Sequence, residues 1–212
     1  MLNYFIDRKN YLILFFTLAY IAAFSARGLA LSNYEFLYYT ALMIAMIFLG
    51  VKVARRLHLA FFILVNLSVW GFLHLLGGNF YLSGGVRLYD FYLIPNFFRY
   101  DNFIHLYASF IITLALYSLL DNFTHEQIRR RYWLFSFILI LMAAGLGTFV
   151  ELAELLAVIA LGATGQVGDY FNNAFDLFFN LFGAVLATII VYYYQERPKF
   201  LKKLNAAADK NN

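Results

Sequence analysis

Long apolar runs dominate this chain, and none of them alternates apolar and polar residues as a half-buried β-strand does. A bilayer core about 30 Å thick requires about 20 apolar residues in a spanning helix, and a helix pairs its own backbone groups inside hydrocarbon. The sequence therefore predicts an all-α, polytopic membrane helix bundle of about six transmembrane helices. The predicted spans are Tyr11–Ala26, Glu35–Val53, Leu57–Leu76, Phe103–Leu120, Trp133–Leu161 and Tyr170–Tyr194.

Composition excludes several classes of function. Of the 212 residues, 63% are hydrophobic and only 13% are charged, and the mean hydropathy of +0.70 lies far above the range of soluble domains. The chain has no cysteine, which excludes disulfides, iron–sulfur clusters and thiolate chemistry, so any metal must use oxygen or imidazole ligands. The basic residues behind the net charge of +4 lie in short clusters between the runs, which argues against nucleic acid as a partner.

The placement of Lys and Arg between the runs predicts orientation, because basic residues collect on the cytoplasmic side of a membrane. With a cytoplasmic N-terminus, thirteen basic residues fall on the inner side and only Arg27, Arg87 and Arg99 on the outer side. We expect both termini in the cytoplasm and the protein in the inner, or cytoplasmic, membrane. An alternative for the first run is a signal peptide, since Arg8 and Lys9 precede it and the small residues Ala23 and Ser25 could serve as a cleavage site.

The chain divides into one domain and a tail. Residues 1–198 are predicted to form a single transmembrane domain, and residues 199–212 a polar, disordered cytoplasmic tail. The longest connection, Gly77–Tyr100, is rich in glycine and aromatic residues, which suit the headgroup region. We expect this segment to lie on the membrane surface and cover the outer mouth of the bundle, with a simple aromatic anchor as the alternative.

Ionisable and amide side chains inside the last three runs are the main pointer to function. A charged residue at the centre of a spanning helix costs roughly 2.5 to 3.5 kcal/mol and normally faces the bundle interior. The predicted helix directions place these groups at similar depth, toward the outer side of the membrane. They are Asp101 and His105 in the fourth run, Glu151 and Glu154 in the fifth, and Asp169, Asn173, Asp176 and Asn180 in the sixth.

Some of these residues also fit structural roles. Asp101 and Asp169 stand at predicted helix starts, where the helix dipole favours an acid. Residues 133–150 could nearly span the bilayer alone, which would make residues 155–161 a re-entrant segment. Glu35 fits a capping box with Ser32 and is assigned to structure. His74 is a weaker site candidate.

Small residues in the fifth and sixth runs predict close helix contacts. They are Gly145, Gly147 and Gly183.

The order of these motifs resembles a known group of membrane proteins. Asp101-x3-His105, Glu151-x2-Glu154 and Asp176-x3-Asn180-x2-Gly183 together look like the YjdF-type inner-membrane proteins and, more distantly, the VanZ-like membrane proteins. The segments 73–78 and 88–90 also resemble the former group, whereas Asn102 stands where a lysine is common. The resemblance implies a multi-spanning bundle and supplies no catalytic residues; some VanZ-like relatives are linked to glycopeptide tolerance.

The leading functional hypothesis is a cation-assisted site that opens to the outer leaflet, binds a lipid or polyprenyl headgroup and hydrolyses or modifies it. One divalent cation would be held by carboxylates and the imidazole, and the amides of Asn173 and Asn180 would bind phosphate or orient ligands. His105, Glu151 or Glu154 would act as general base. The predicted metal ligands are Asp101, His105, Glu151, Glu154, Asp169 and Asp176.

Two other classes stay open at this point. In a small proton- or cation-coupled transporter, Glu151, Glu154 and Asp176 would form a relay. In a non-catalytic scaffold, the polar groups would only lock the helices together. The chain shows neither the repeated halves nor the paired broken helices that are typical of transporters.

Overall fold

A computed structural model describes residues 8–57, 59–120, 123–125, 127–128, 131–161 and 170–208. Six long helices form most of this part of the chain, which confirms the predicted all-α membrane bundle. Five of them are long and apolar enough to cross a membrane, and the described part of α2 offers the shorter apolar stretch Tyr34–Leu49. The helices are α1 Arg8–Ala30, α2 Tyr34–Leu57, α3 Phe61–Asn79, α4 Tyr100–Leu120, α5 Tyr132–Leu161 and α6 Tyr170–Ala208.

α5 matches its predicted span, whereas α6 runs further than the sequence indicated. α5 continues without a break from Tyr132 to Leu161, so the re-entrant alternative for residues 155–161 does not form. α6 continues to Ala208, and the prediction of a disordered tail from residue 199 is therefore wrong for residues 199–208. That segment is rich in Leu, Lys and Ala, which favour helix and extend the helix that precedes them.

The segment between α3 and α4, residues 80–99, is called here the covering segment, and it folds onto one end of the bundle, called here the loop end. It contains a 3₁₀ turn, Leu88–Asp90, and a hairpin of strands β1, Tyr92–Ile94, and β2, Phe98–Arg99. Tyr89 is buried among residues of α2, α3 and α4, and its hydroxyl is hydrogen-bonded to the His74 ring. The 3₁₀ turn therefore packs into this end of the bundle, and the position of the segment on the membrane surface stays a prediction.

α2 begins differently from the predicted capping box. Ser32 has a positive φ of 53°, and Asn33 instead accepts a hydrogen bond from the Phe36 backbone N–H at 3.4 Å. Asn33 rather than Ser32 therefore caps the helix, and Glu35 is not needed as the partner of Ser32 in a capping box. The Glu35 side chain is buried and pairs at 3.4 Å with Arg87, whose side chain is 10% exposed, so the assignment of Glu35 to a capping box is wrong.

Two apolar cores flank the polar residues along α4 and α6. The core at the loop end contains Tyr20, Phe36, Met43, Leu75, Tyr89, Tyr100 and Ile104. The other contains Leu116, Phe135, Leu139, Ala143 and Ala184. His105 lies between the two groups along α4, so that residues of both cores bracket it.

α4 and α6 approach each other closely at Gly183. A Cβ atom at this glycine would lie 2.2 Å from the Leu106 carbonyl oxygen, whereas a Cβ at Gly147 would lie 2.9 Å from Asn180 Nδ2. These contacts confirm the prediction for Gly147 and Gly183. The prediction for Gly145 is wrong, because a Cβ there would meet no atom within 4 Å.

Candidate functional site

Three side chains from α4 and α6 meet in the interior of the bundle near its loop end. His105 Nε2 lies 3.5 Å from Asp101 Oδ1 and 4.0 Å from Asp176 Oδ1. Asp101 and His105 share one face of α4 because they are four residues apart. Asp176 is fully buried, and the His105 side chain is 7% exposed. Two carboxylates and an imidazole therefore surround one small volume that water hardly reaches.

The two nitrogens of the His105 ring face different groups. Nε2 faces Asp101 and Asp176, whereas Nδ1 lies 3.5 Å from Glu151 Oε1 of α5 and 3.3 Å from Asn180 Nδ2. A side-chain amide presents either its oxygen or its nitrogen after half a turn, so Asn180 can match either protonation of Nδ1. The predicted convergence of α4, α5 and α6 on a buried polar cluster is confirmed by these contacts.

Asp176 is held by two amides. Asn102 Nδ2 donates to its Oδ1 at 2.8 Å, and Asn172 Nδ2 donates to its Oδ2 at 2.9 Å. Asn102 also accepts the Arg99 backbone N–H at 2.9 Å, while the Asn172 Nδ2 lies 3.5 Å from Asp101 Oδ2. Both carboxylate oxygens of Asp176 are thus oriented before any ligand arrives.

Asn102 and Asn172 were not among the residues predicted for the site. The sequence pointed to Asn173, whose Oδ1 atom is buried and has no hydrogen-bond partner among the described residues. The four-residue spacing from Asn172 to Asp176 was a usable signal, because it places both side chains on one helix face. The role assigned to Asn173 stays a prediction.

The two glutamates of α5 reach the cluster from different positions. Both carboxylate oxygens of Glu151 are buried without a hydrogen-bond partner among the described residues. Glu154 lines an inner cavity of about 20 Å³ together with His74, Tyr89, Asp101 and Asn172. A cavity of this size holds about one water molecule. The predicted ligand Asp169 lies outside the described residues.

A positive charge stands beside the cluster. Arg99 Nη1 donates to Asn172 Oδ1 at 2.6 Å, and Nη2 donates to the Tyr92 hydroxyl at 3.0 Å. Burial alone would lower the pKa of Arg99, but the Tyr92 hydrogen bond and the charge of Asp101 outweigh it and raise the pKa. The guanidinium is therefore always charged, and only the Asn172 amide separates it from Asp176.

The donor set fits a divalent cation. One carboxylate oxygen from Asp101, one from Asp176 and a ring nitrogen of His105 all lie within 4.8 Å of one another. Two ligands bonded to one ion at about 2.1 Å stand at most about 4.2 Å apart, so the set needs to close by only a few tenths of an ångström. Three protein ligands leave coordination positions open, as catalytic metal sites do.

The matching family model covers residues 12–197 of the chain and is described as "Predicted membrane protein (DUF2238)". The chain belongs to this family. All of the described site residues of this DUF2238 protein fall inside the matched range, from Arg99 to Asn180. No curated protein and no solved structure matches the chain.

Proposed function

We propose that this protein binds a divalent cation at Asp101, His105 and Asp176 and uses it on the headgroup of a membrane lipid at the outer face of the inner membrane. The observation that carries the proposal is the division of the His105 ring between Nε2, which faces two carboxylates, and Nδ1, which faces Glu151. A histidine that ligates a metal usually donates its other ring N–H to a carboxylate or carbonyl, which orients the ring.

A bound cation also accounts for the charge of the cluster. Four carboxyl groups, from Asp101, Asp176, Glu151 and Glu154, lie around the His105 imidazole, while the Arg99 guanidinium stands one amide away from Asp176. A scaffold built only to lock helices together would pair its buried polar groups, because an unpaired one costs stability. Both carboxylate oxygens of Glu151 are buried without a hydrogen-bond partner among the described residues, and only Oε1 has an ionic contact, 3.5 Å from His105 Nδ1, which favours a ligand over the scaffold.

The chemistry proposed for the site follows from its donors. A divalent cation would polarise a headgroup oxygen and lower the pKa of a bound water. Glu151 or Glu154 would then accept a proton, in the role of general base. Asn180 would orient His105 rather than touch the headgroup, since its amide lies on the Nδ1 side of the ring.

Transport receives less support from the packing. A transporter requires a polar route to the far end of the bundle. Beyond the cluster, the described residues form the apolar core around Leu116, Phe135 and Leu139, and Phe135 and Leu139 are almost fully buried there. That core favours a site reached from one face of the membrane.

We also propose kinship with the YjdF-type and VanZ-like membrane proteins. The support is the order of the motifs from Asp101 to Gly183, and the cluster shows why residues so far apart in the sequence occur together.

Manganese binding tests the proposed site. We expect purified protein in neutral-lipid nanodiscs to bind one Mn²⁺ per chain, measured by calorimetry and electron paramagnetic resonance, and to release it to EDTA. His105→Ala should abolish binding, because it removes a ligand, and Glu151→Gln should weaken it by about 10- to 100-fold, as loss of a group that orients a ligand does.

The matched control is Asp90→Asn, which removes the same kind of charge from an exposed carboxylate of the covering segment. This variant should bind Mn²⁺ like the wild type. Equal affinities for His105→Ala and Asp90→Asn, or no Mn²⁺ binding by the folded wild type, would overturn the proposal.

A further inference from the structure

A second, larger cavity lies beside the cation site, called here the Arg99 cavity. Its volume is about 150 Å³, and its walls come from the hairpin and from the starts of α4 and α6. A cavity of about this volume holds a molecule the size of benzene, so a phosphate group fits. The residues that matter below are Tyr92, Phe97, Arg99, Asn172 and Phe175.

The charged group in this cavity is held by neutral partners. The Arg99 guanidinium lies 5.1 Å from the centre of the Tyr92 ring, and its hydrogen bonds go to the Tyr92 hydroxyl and the Asn172 amide. Among the described residues, no carboxylate oxygen lies within 4 Å of the guanidinium. The positive charge is thus positioned but not neutralised by contact, and a planar guanidinium is well suited to phosphate oxygens.

The Arg99 cavity joins the cation site through two amide side chains, since Asn102 and Asn172 both line this cavity and both donate to Asp176. Asn172 lines both the Arg99 cavity and the inner cavity, and its amide links Arg99 to Asp176. An anion at Arg99 would therefore stand one side chain away from a cation at Asp176. Arginine and a divalent cation often hold the same phosphate group between them.

Aromatic side chains of the Arg99 cavity are exposed on the surface of the bundle. Phe97 is 52% exposed and Phe175 is 38% exposed, and the two rings pack edge to face with centroids 6.4 Å apart. Phe178 and Phe182 continue the exposed apolar surface along α6. A ligand with an anionic head and an apolar tail would place its head at Arg99 and its tail along α6.

We propose that the Arg99 cavity binds the phosphate group of an anionic membrane lipid, with Arg99 as the residue that recognises the phosphate. This proposal rests on the proposed function in one respect: the phosphate bound at Arg99 would belong to the headgroup on which the cation acts. Recognition by Arg99 itself depends only on the cavity, the guanidinium and the aromatic wall.

Binding of short-chain lipids tests the assignment. Calorimetry in neutral detergent, with and without Mn²⁺, would compare dioctanoyl phosphatidic acid, dioctanoylglycerol and inorganic phosphate. We expect the wild type to bind phosphatidic acid well above the other two. Arg99→Gln should weaken that binding by about 10- to 100-fold, the range for loss of a hydrogen bond to a charged group.

Arg27→Gln is the matched control, because Arg27 lies at the same end of the bundle but donates to the Asn79 backbone carbonyl rather than lining the Arg99 cavity. It should leave phosphatidic acid binding unchanged. Equal losses in the two variants, or inorganic phosphate bound as tightly as the lipid, would refute the assignment. Mn²⁺ binding separates the two proposals, since Arg99→Gln should retain it. If the wild type binds Mn²⁺ but Arg99→Gln binds phosphatidic acid as tightly as the wild type does, only the lipid assignment is refuted. If phosphatidic acid binding depends on Arg99 but the wild type binds no Mn²⁺, only the cation site is refuted.

Discussion

Gly183→Ala is expected to be among the most damaging single substitutions in the bundle. The added Cβ would lie 2.2 Å from the Leu106 carbonyl oxygen and 3.1 Å from the Phe110 backbone nitrogen. Backbone atoms of a helix cannot rotate away as a side chain can, so α4 and α6 must separate. Overpacking typically costs about 1 to 3 kcal/mol, more when the backbone moves. The free energy of unfolding, from SDS titration of the purified protein, would measure the loss.

Gly145→Ala is the matched control for this prediction. A Cβ at Gly145 meets no atom within 4 Å, and alanine gains up to about 1 kcal/mol over glycine in a helix. The two glycine substitutions should therefore differ by about 2 to 4 kcal/mol. Similar stabilities of the two variants would contradict the close contact between α4 and α6.

Gly183→Ala should also disturb the proposed cation site. α4 carries Asp101 and His105, α6 carries Asp176, and Gly183 lies on the face of α6 that meets α4. A separation of these helices by even a fraction of an ångström widens the distance from Asp176 to His105. Gly183→Ala should thus weaken Mn²⁺ binding in the protein that still folds, whereas Gly145→Ala should not.

The fold was largely predictable because a bilayer allows few alternatives. Long apolar runs in hydrocarbon must be helices, so the elements followed from the sequence. The helix starts were less predictable. The sequence predicts the start of this span at Phe103, because Asp101 and Asn102 are polar and interrupt the apolar run. In the structure α4 begins at Tyr100, and the two polar side chains face the bundle interior.

The centre of the site was predictable for a related reason. Asp101, His105 and Asp176 are costly inside a membrane, and their helical spacing places them on common faces. Spacings of three and of four residues both fit one helix face, so Asn173 and Asn172 compete for the place beside Asp176, and in the structure Asn172 makes the hydrogen bond. The Arg99 cavity could not be predicted in this way, because part of its wall is a hairpin, and the spacing of residues along a helix says nothing about how a hairpin folds.

Arg87 and Glu35 illustrate the same limit. The two residues are far apart in the sequence, and only the path of the covering segment brings their side chains within 3.4 Å. Burial alone would lower the pKa of Arg87, but the charges of Asp90 and Glu35 outweigh it and raise the pKa. Asp90 is 52% exposed and water can replace the arginine there, whereas Glu35 is 6% exposed and would be left buried without a cation.

Arg87→Met is expected to destabilise the protein by about 3 to 5 kcal/mol, the usual cost of removing one partner from a buried ion pair. Methionine keeps much of the apolar stem but leaves the Glu35 carboxylate buried without its cation. The free energy of unfolding, again from SDS titration, would measure the loss, and faster proteolysis of residues 80–99 would show that the covering segment has loosened.

The double variant Arg87→Met with Glu35→Gln separates the ion pair from other effects. Because it removes both charges, it should recover much of the stability lost in Arg87→Met, since a buried pair replaced by neutral groups often costs little. Asp90→Asn breaks the exposed contact of the same arginine and should cost at most about 1 kcal/mol. If the double variant were no more stable than Arg87→Met, the loss would come from the packing of the guanidinium against the Phe36 and Tyr89 rings, which lie 5.8 and 5.9 Å away, rather than from the unpaired carboxylate.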